Sequence, residues 1–182
     1  VAFTANATTI EPHRIALPLA AATLALGAHA KTPAQWQALT APVKISLEQA
    51  VQNATQMTPG QVIEIELDDG DGAGVRYEAH ILTPQQQSVE VWVDAVTGQA
   101  RLHENDGAAK RKDVQRSQAA KIDILQAIRA ATAHTPGKAM KAELDNHWGT
   151  ISYQVDVLQA DHRLMEVKLD AADGKVLRAK RD

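Results

Sequence analysis

The sequence of 182 residues predicts an α+β protein made of two tandem α-β-β-β modules, each a helix packed on a small antiparallel meander sheet. The first observation is a duplication: "ISLEQAVQNATQMTPG" from Ile45 returns as "IDILQAIRAATAHTPG" from Ile122. The second is helical periodicity at the start of each copy, and the third is three alternating runs after it. Because an internal repeat determines the whole architecture, we expect one folding unit to occur twice.

An amphipathic helix opens each copy. Apolar residues fall on one face of a helical period, at Leu47, Ala50, Val51 and Ala54 in the first copy and at Ile124, Ala127, Ile128 and Ala131 in the second. Ser46 with Gln49 has the spacing of a capping box, and so has Asp123 with Gln126. Thr-Pro-Gly ends each helix, because proline disfavours helical geometry in the residue before it and glycine permits a sharp turn.

Three strands follow each helix. Apolar and polar residues alternate with a period of two, which indicates an antiparallel sheet with one buried and one solvent-facing side. The apolar positions of the first copy are Ile63, Ile65 and Leu67, then Val75, Tyr77, Ala79 and Ile81, then Val89, Val91 and Val93. Those of the second are Met140, Ala142 and Leu144, then Ile151, Tyr153, Val155 and Val157, then Met165, Val167 and Leu169. The helix should cover this side, and a short fourth extended piece can follow the turns at Thr97-Gly98 and Asp173-Gly174.

Both copies resemble the PepSY domain, a family named for peptidase propeptides and a sporulation-associated protein. The stretches that carry the resemblance are "LEQAVQNA", "PGQVIEIELD", "VRYEAHI" and "VEVWVDAVTG" in the first copy. The second copy has "ILQAIRAA", "PGKAMKAELD", "ISYQVDV" and "MEVKLDAADG" in the same order. The resemblance implies a non-enzymatic role, because modules of this type accompany secreted metalloprotease precursors and are proposed to inhibit or chaperone proteases. It transfers no catalytic residues.

The chain divides into five segments: an N-terminal extension with a signal peptide (1–30), a linker (31–43), a first PepSY-like module (44–106), a second linker (107–120) and a second PepSY-like module (121–182). Arg14, the run "IALPLAAATLALG" and Ala28-His29-Ala30 have the form of a secretory signal peptide. We expect cleavage after Ala30 and a periplasmic or secreted protein. The apolar run is shorter than the ~20 residues of a membrane span, so no stable membrane insertion is expected after cleavage.

Composition narrows the function classes. A net charge of −3 and a pI of about 6.2 give no electrostatic footprint for nucleic acid. The sequence has no cysteine, which excludes disulfides, thiol nucleophiles and Cys-ligated metals. It contains neither a G-x-S-x-G elbow nor a Gly-rich phosphate loop, so we expect no enzyme. The one basic cluster, Lys110-Arg111-Lys112, lies beside Asp113 in a polar stretch, so we interpret it as part of a solvated linker.

Two features could suggest a metal. In "DDGDGAG" from Asp68, the calcium-loop pattern would place Ala73 and His80 where ligands belong, so a Gly/Asp-rich hairpin loop is the better interpretation. The seven histidines include no i, i+4 pair and no H-E-x-x-H motif. The sequence therefore predicts no cofactor and no metal site, although a site built from histidines distant in sequence stays open.

Trp92 is the candidate for function. The alternation places it on the solvent-facing side of the third strand, where the second copy has Lys168. We expect Leu82 and His80 beside it and predict a protein-binding site of these three residues, because tryptophan is enriched in binding hot spots. The leading hypothesis is a non-enzymatic envelope protein that binds a protein partner, with an envelope protease as the candidate. The alternative is a small-ligand or metal-binding sensor module, and packing of Trp92 between modules also stays open.

Overall fold

The structure is a computed structural model that describes residues 31–181. The predicted signal peptide and its cleavage position at Ala30 lie outside the described residues. The helices are α1 (Pro33–Thr40), α2 (Leu47–Met57), α3 (Arg111–Ala119) and α4 (Ile124–His134). The strands of the first half are β1 (Gln61–Asp68), β2 (Arg76–Leu82), β3 (Gln87–Asp94) and β4 (Ala100–Ala108). Those of the second half are β5 (Lys138–His147), β6 (Thr150–Leu158), β7 (Leu164–Asp170) and β8 (Val176–Arg181).

One continuous antiparallel sheet replaces the two small sheets that the sequence predicts. The strand order is β4-β3-β2-β1-β5-β6-β7-β8, so each half is a four-stranded meander and β1 pairs with β5 at the centre. The α+β class and the duplication are confirmed, whereas the expectation of separate sheets is wrong. The reason is that the first strand of each meander has a free edge, and the two free edges pair with each other.

The central pairing relates the halves by a pseudo-twofold axis. Ile65 lies opposite Ala142, its own equivalent in the repeat. In the repeat, Glu64 is equivalent to Lys141 and Glu66 is equivalent to Glu143. On either side of Ile65, Glu64 pairs with Glu143 and Glu66 pairs with Lys141, so each residue lies opposite the equivalent of the other. The sheet is therefore symmetric in its backbone about this point, while its side chains differ.

The core lies on one face of the sheet. α2 packs on β1 to β5 and α4 packs on β5 to β8, and the two helices touch, so both cover the same side. Tyr77 and Tyr153 are buried at equivalent sites, as the repeat predicts. The hydroxyl of Tyr77 donates a hydrogen bond to the carbonyl of Ile45 at 2.9 Å, and that of Tyr153 donates to Ile122 at 3.0 Å. Each tyrosine thus ties a strand to the segment that precedes its helix.

The helix ends follow the sequence closely. Both predicted capping boxes form, and both helices end at the Thr-Pro-Gly segment. A second requirement explains the glycine of this segment. A Cβ atom at Gly60 would lie 2.5 Å from the carbonyl oxygen of Leu82, which is too close for any other residue. A Cβ atom at Gly137 would clash in the same way with the carbonyl oxygen of Leu158. The glycine of the repeated motif therefore allows the close approach of two backbones.

The segments expected as linkers contain α1 and α3. Trp36 and Leu39 of α1 are buried in the core. α3 contacts β1 and β5, and the buried Ser117 hydroxyl donates a hydrogen bond to the side chain of Gln61 on β1. Both helices therefore belong to the folded body, and α3 joins it at the junction of the halves. Within residues 31–181, no helix is long and apolar enough to cross a membrane.

A lysine at the junction holds three carboxylates. The Nζ atom of Lys141 lies 3.0 Å from Glu64, 3.5 Å from Glu66 and 3.4 Å from Glu143. Burial alone would lower the pKa of Lys141, but its hydrogen bond to Glu64 and the charges of all three carboxylates raise the pKa. The ammonium group therefore stays charged and bridges β1 and β5 on the side of the sheet away from α2 and α4.

Candidate functional site

The outer face, defined as the side of the sheet opposite α2 and α4, carries the polar residues of the alternation. Trp92 lies on this face, as the sequence predicts, between Glu78 of β2 and Arg101 of β4. It is half-buried even though neither α2 nor α4 covers it. The side chains around it on the same face must therefore provide its cover.

Four residues form what we call the Trp92 cluster: Trp92, Arg76, Glu90 and His103. The His103 ring stacks on the Trp92 ring with centroids 3.5 Å apart and planes at 13°. The Arg76 guanidinium lies 3.8 Å from the centroid of the indole, which is within cation–π range. The indole N–H donates a hydrogen bond of 2.5 Å to Oε1 of Glu90. These three contacts hold the indole ring in one orientation.

Arg76 is itself anchored by carboxylates. Its guanidinium lies 3.3 Å from Asp68 and 2.5 Å from Glu78. Arg101, by contrast, is exposed, lies 4.8 Å from the Trp92 centroid, and has no carboxylate partner among the described ion pairs. The guanidinium group of Arg76 is thus paired with carboxylates of the protein, whereas that of Arg101 is exposed and can reach a ligand.

A cleft of about 310 Å³ opens beside the indole. Its wall includes Arg76, Trp92, Asp94 and Arg101. Backbone N–H groups of Thr97 and Val96 hydrogen-bond to Asp94 and hold the pKa of that carboxyl below its usual range. The cleft therefore presents one aromatic edge, the ion-paired guanidinium group of Arg76, the exposed guanidinium group of Arg101 and one ionised carboxylate, a surface suited to a polar side chain of a partner.

The other two residues of the predicted site lie farther along β2. Trp92 faces Glu78, so His80 is one outer-face position away and Leu82 is two positions away. The distance from Glu78 to Leu82 along the strand is about 13 Å at ~3.3 Å per residue. His80 is half-exposed, whereas Leu82 is only 8% exposed. The structure brings Trp92 together with Arg76, Glu90 and His103 and does not bring it together with Leu82.

Among the described residues of the second half, the matching positions form no counterpart of the cluster. At the equivalent position Lys168 lies between Gln154 of β6 and Arg178 of β8. Glu166, the equivalent of Glu90, forms an ion pair of 3.1 Å with Lys180. The outer face is therefore aromatic at one place in the first half and purely polar at the matching place in the second.

A second cavity, of about 360 Å³, lies on the helix side where the start of α2 faces the start of β5. Its wall includes Lys44, Glu48, Tyr77 and Lys138. Burial, with the charge of Glu48 adding to it, raises the pKa of Tyr77 to about 12. The phenol therefore stays neutral and donates to the backbone, which is a structural role.

Two copies of a helix on a four-stranded meander, joined edge to edge through their first strands, define a tandem-module α+β protein. The chain belongs to the PepSY family: the model of the "Peptidase propeptide and YPEB domain" matches residues 44–104 and 121–180. The resemblance that the sequence suggests is thereby confirmed.

Comparison with solved structures gives one similarity. A crystal structure of a candidate lipoprotein from Clostridium difficile 630 matches with a TM-score of 0.42 and 16% identity, covering 77% of this chain and 95% of that one. No curated protein matches the chain significantly.

Proposed function

We propose that this protein is a non-enzymatic protein of the cell envelope, exported with cleavage after Ala30, that binds a protein partner through the outer face of its first half. The observation that carries the proposal is Trp92, an aromatic residue on a sheet face that neither α2 nor α4 covers. An indole in that position does not contribute to the helix-covered core, whereas tryptophan and arginine dominate binding hot spots.

The geometry of the cluster favours binding. His103 and Arg76 hold the indole in place, so a partner would lose little side-chain freedom when it contacts Trp92. Arg101 supplies an exposed guanidinium at the edge of the same cleft. The partner segment should therefore carry a carboxylate next to an apolar group, since that pair would meet Arg101 and Trp92 together.

His80 and Leu82 take different parts in this proposal. His80 is half-exposed on the outer face and extends the binding surface along β2. Leu82 is buried at the end of that strand, so we propose that it supports the binding surface from within and does not contact the partner. The second half, with Lys168 in place of Trp92, serves as the scaffold that completes the sheet.

An envelope protease is the partner class that we propose. The support is the family, whose description names peptidase propeptides. Inhibition and chaperoning are both served by a rigid sheet face that covers part of a protease surface.

The test is a comparison of Trp92→Ala with Trp148→Ala. Trp148 is 93% exposed in the β5–β6 turn and provides the matched loss of an indole elsewhere. The mature protein is used as bait in an envelope extract of its native host, and the captured protein is then titrated against each variant. We expect Trp92→Ala to weaken binding by about 2 kcal/mol, roughly 30-fold, and Trp148→Ala to bind like the wild type.

Thermal unfolding of the same variants is the control for folding. Trp92→Ala should lose about 1–2 kcal/mol of stability, because it removes the cation–π contact with Arg76, the stacking on His103 and the hydrogen bond to Glu90 at a partly exposed site. Equal binding by both variants would remove Trp92 from the partner surface. A loss of several kcal/mol in stability would show that the indole is a structural residue.

A further inference from the structure

We propose that Glu90, His103 and Glu104 form a binding site for a divalent transition cation of the zinc class. A carboxylate oxygen of each glutamate and a ring nitrogen of His103 all lie within 4.8 Å of one another. Ligand atoms that share one zinc at ~2.0–2.2 Å stand about 3–4 Å apart, so small side-chain rotations would close this group around an ion. The proposal departs from the sequence expectation of no metal. The site shares Glu90 and His103 with the Trp92 cluster, but it does not rest on the partner binding proposed for Trp92.

A β-bulge brings the three residues together. Glu90 pairs with Glu104 and Val91 pairs with Leu102, which leaves His103 without a partner in β3. In a regular strand the consecutive side chains of His103 and Glu104 would point to opposite faces. The extra residue of the bulge changes the local direction of β4, and both side chains reach Glu90. Sequence motifs miss such a group because its ligands are neither regularly spaced nor on one strand.

The second half has different residues at the positions equivalent to Glu90 and Glu104. Glu166, the equivalent of Glu90, pairs with Lys180, whose Nζ lies 3.1 Å from the carboxylate. Pairing continues without a shift to Val167 and Ala179, so β8 has no equivalent of His103. The positive charge in the second half is therefore a lysine of the protein itself.

The first half places a carboxylate where the second half has that lysine. Among the ion pairs of residues 31–181, none joins Glu90 or Glu104 to a lysine or an arginine. Two carboxylates and an imidazole then face one another without the cation that the repeat leads us to expect. A bound metal ion would supply the charge that Lys180 supplies in the other half.

Neighbouring contacts orient the ligands. The Trp92 indole donates to Oε1 of Glu90, which leaves Oε2 for an ion. The His103 ring is fixed by stacking on the same indole. Hydrogen bonds and packing of this kind set the direction of metal ligands and strengthen binding. The nitrogen ligand selects a transition cation, because calcium and magnesium prefer oxygen ligands alone.

Isothermal titration of the metal-free mature protein with zinc chloride tests the proposal. We expect saturable binding at one zinc per chain, no saturable binding of calcium, and a rise in melting temperature with zinc. The decisive variant is Glu104→Lys, which copies the second half. It should fold at least as stably as the wild type without metal, because it gives Glu90 an ion-pair partner, and it should lose the zinc site.

His103→Ala and His147→Ala complete the test. His147 is an exposed histidine at the end of β5, so its replacement removes an imidazole far from the group. We expect His103→Ala to weaken zinc binding at least roughly tenfold and His147→Ala to leave it unchanged. The proposal is overturned if wild-type protein shows no saturable zinc binding, if Glu104→Lys binds as tightly as wild type, or if the two histidine variants lose affinity equally.

Discussion

Replacing Lys141 with methionine should destabilise the protein where its halves meet. The ammonium group lies within 3.5 Å of Glu64, Glu66 and Glu143, and the side chain is 27% exposed. An exposed ion pair contributes up to about 1 kcal/mol. The substitution removes three such attractions and leaves three carboxylates facing one another, so we expect a loss of about 2–3 kcal/mol in the free energy of unfolding.

The pseudo-twofold axis provides a sharper version of this experiment. Lys141→Glu should cost roughly twice as much, because each attraction becomes a repulsion of similar size. Glu64 and Lys141 are equivalent positions, so adding Glu64→Lys rebuilds the same arrangement from the other strand. The lysine at position 64 would lie opposite Glu143 and two residues from Glu66. The double variant should therefore recover to within about 1 kcal/mol of the wild type.

Urea unfolding at neutral pH measures both effects. Lys180→Met is the matched control, because within residues 31–181 Lys180 has one ion pair, near the sheet edge, and should contribute no more than about 1 kcal/mol. High salt should reduce the difference between the wild type and the Lys141 variants. The reasoning fails if Lys141→Met costs no more than Lys180→Met. It fails equally if the charge-swapped protein is no more stable than Lys141→Glu alone.

Two further predictions concern the buried tyrosine and the repeated glycine. Burial and then Glu48 raise the pKa of Tyr77 to about 12, so the folded protein keeps a proton that the unfolded chain loses near pH 10, and stability falls from about pH 10 to about pH 12. Tyr77→Phe should lose about 1 kcal/mol at neutral pH but fall less steeply in urea unfolding at high pH, and equal slopes would contradict this. Gly137→Ala should cost about 1–3 kcal/mol in the same assay, because its methyl group would meet the carbonyl of Leu158. An unchanged stability would mean that the backbone moves aside freely.

The strands and their faces could be predicted from the sequence because burial repeats with a local period. Tyr77 and Tyr153 lie at the equivalent buried sites that the alternation predicts. The pairing of β1 with β5 could not be predicted in this way. The alternation predicts that Ile65 and Ala142 are buried, whichever strand lies beside them. The β1–β5 pairing joins three residue pairs from segments distant in sequence, and such a pairing leaves no local pattern in the sequence.

Helix α3 and the surroundings of Trp92 escaped prediction for a related reason. The segment "RKDVQRSQA" has almost no apolar stripe, so its composition favours a linker, whereas contacts such as that of Ser117 with Gln61 hold it on the sheet. Two neighbours of Trp92, His103 and Arg101, depend on the register of β4. A bulge at His103 sets that register, and alternation alone cannot locate a bulge.

The join between β1 and β5 has a consequence for stoichiometry. In a homodimer of identical modules, any feature of the outer face would be displayed twice, and such a dimer could cross-link two partners. Because both modules belong to one chain, Trp92 stands on one side while Lys168 stands on the other. Each molecule then presents a single copy of the aromatic surface. In the proposed role, each chain would therefore hold one partner at a time through this surface and would not bridge two of them.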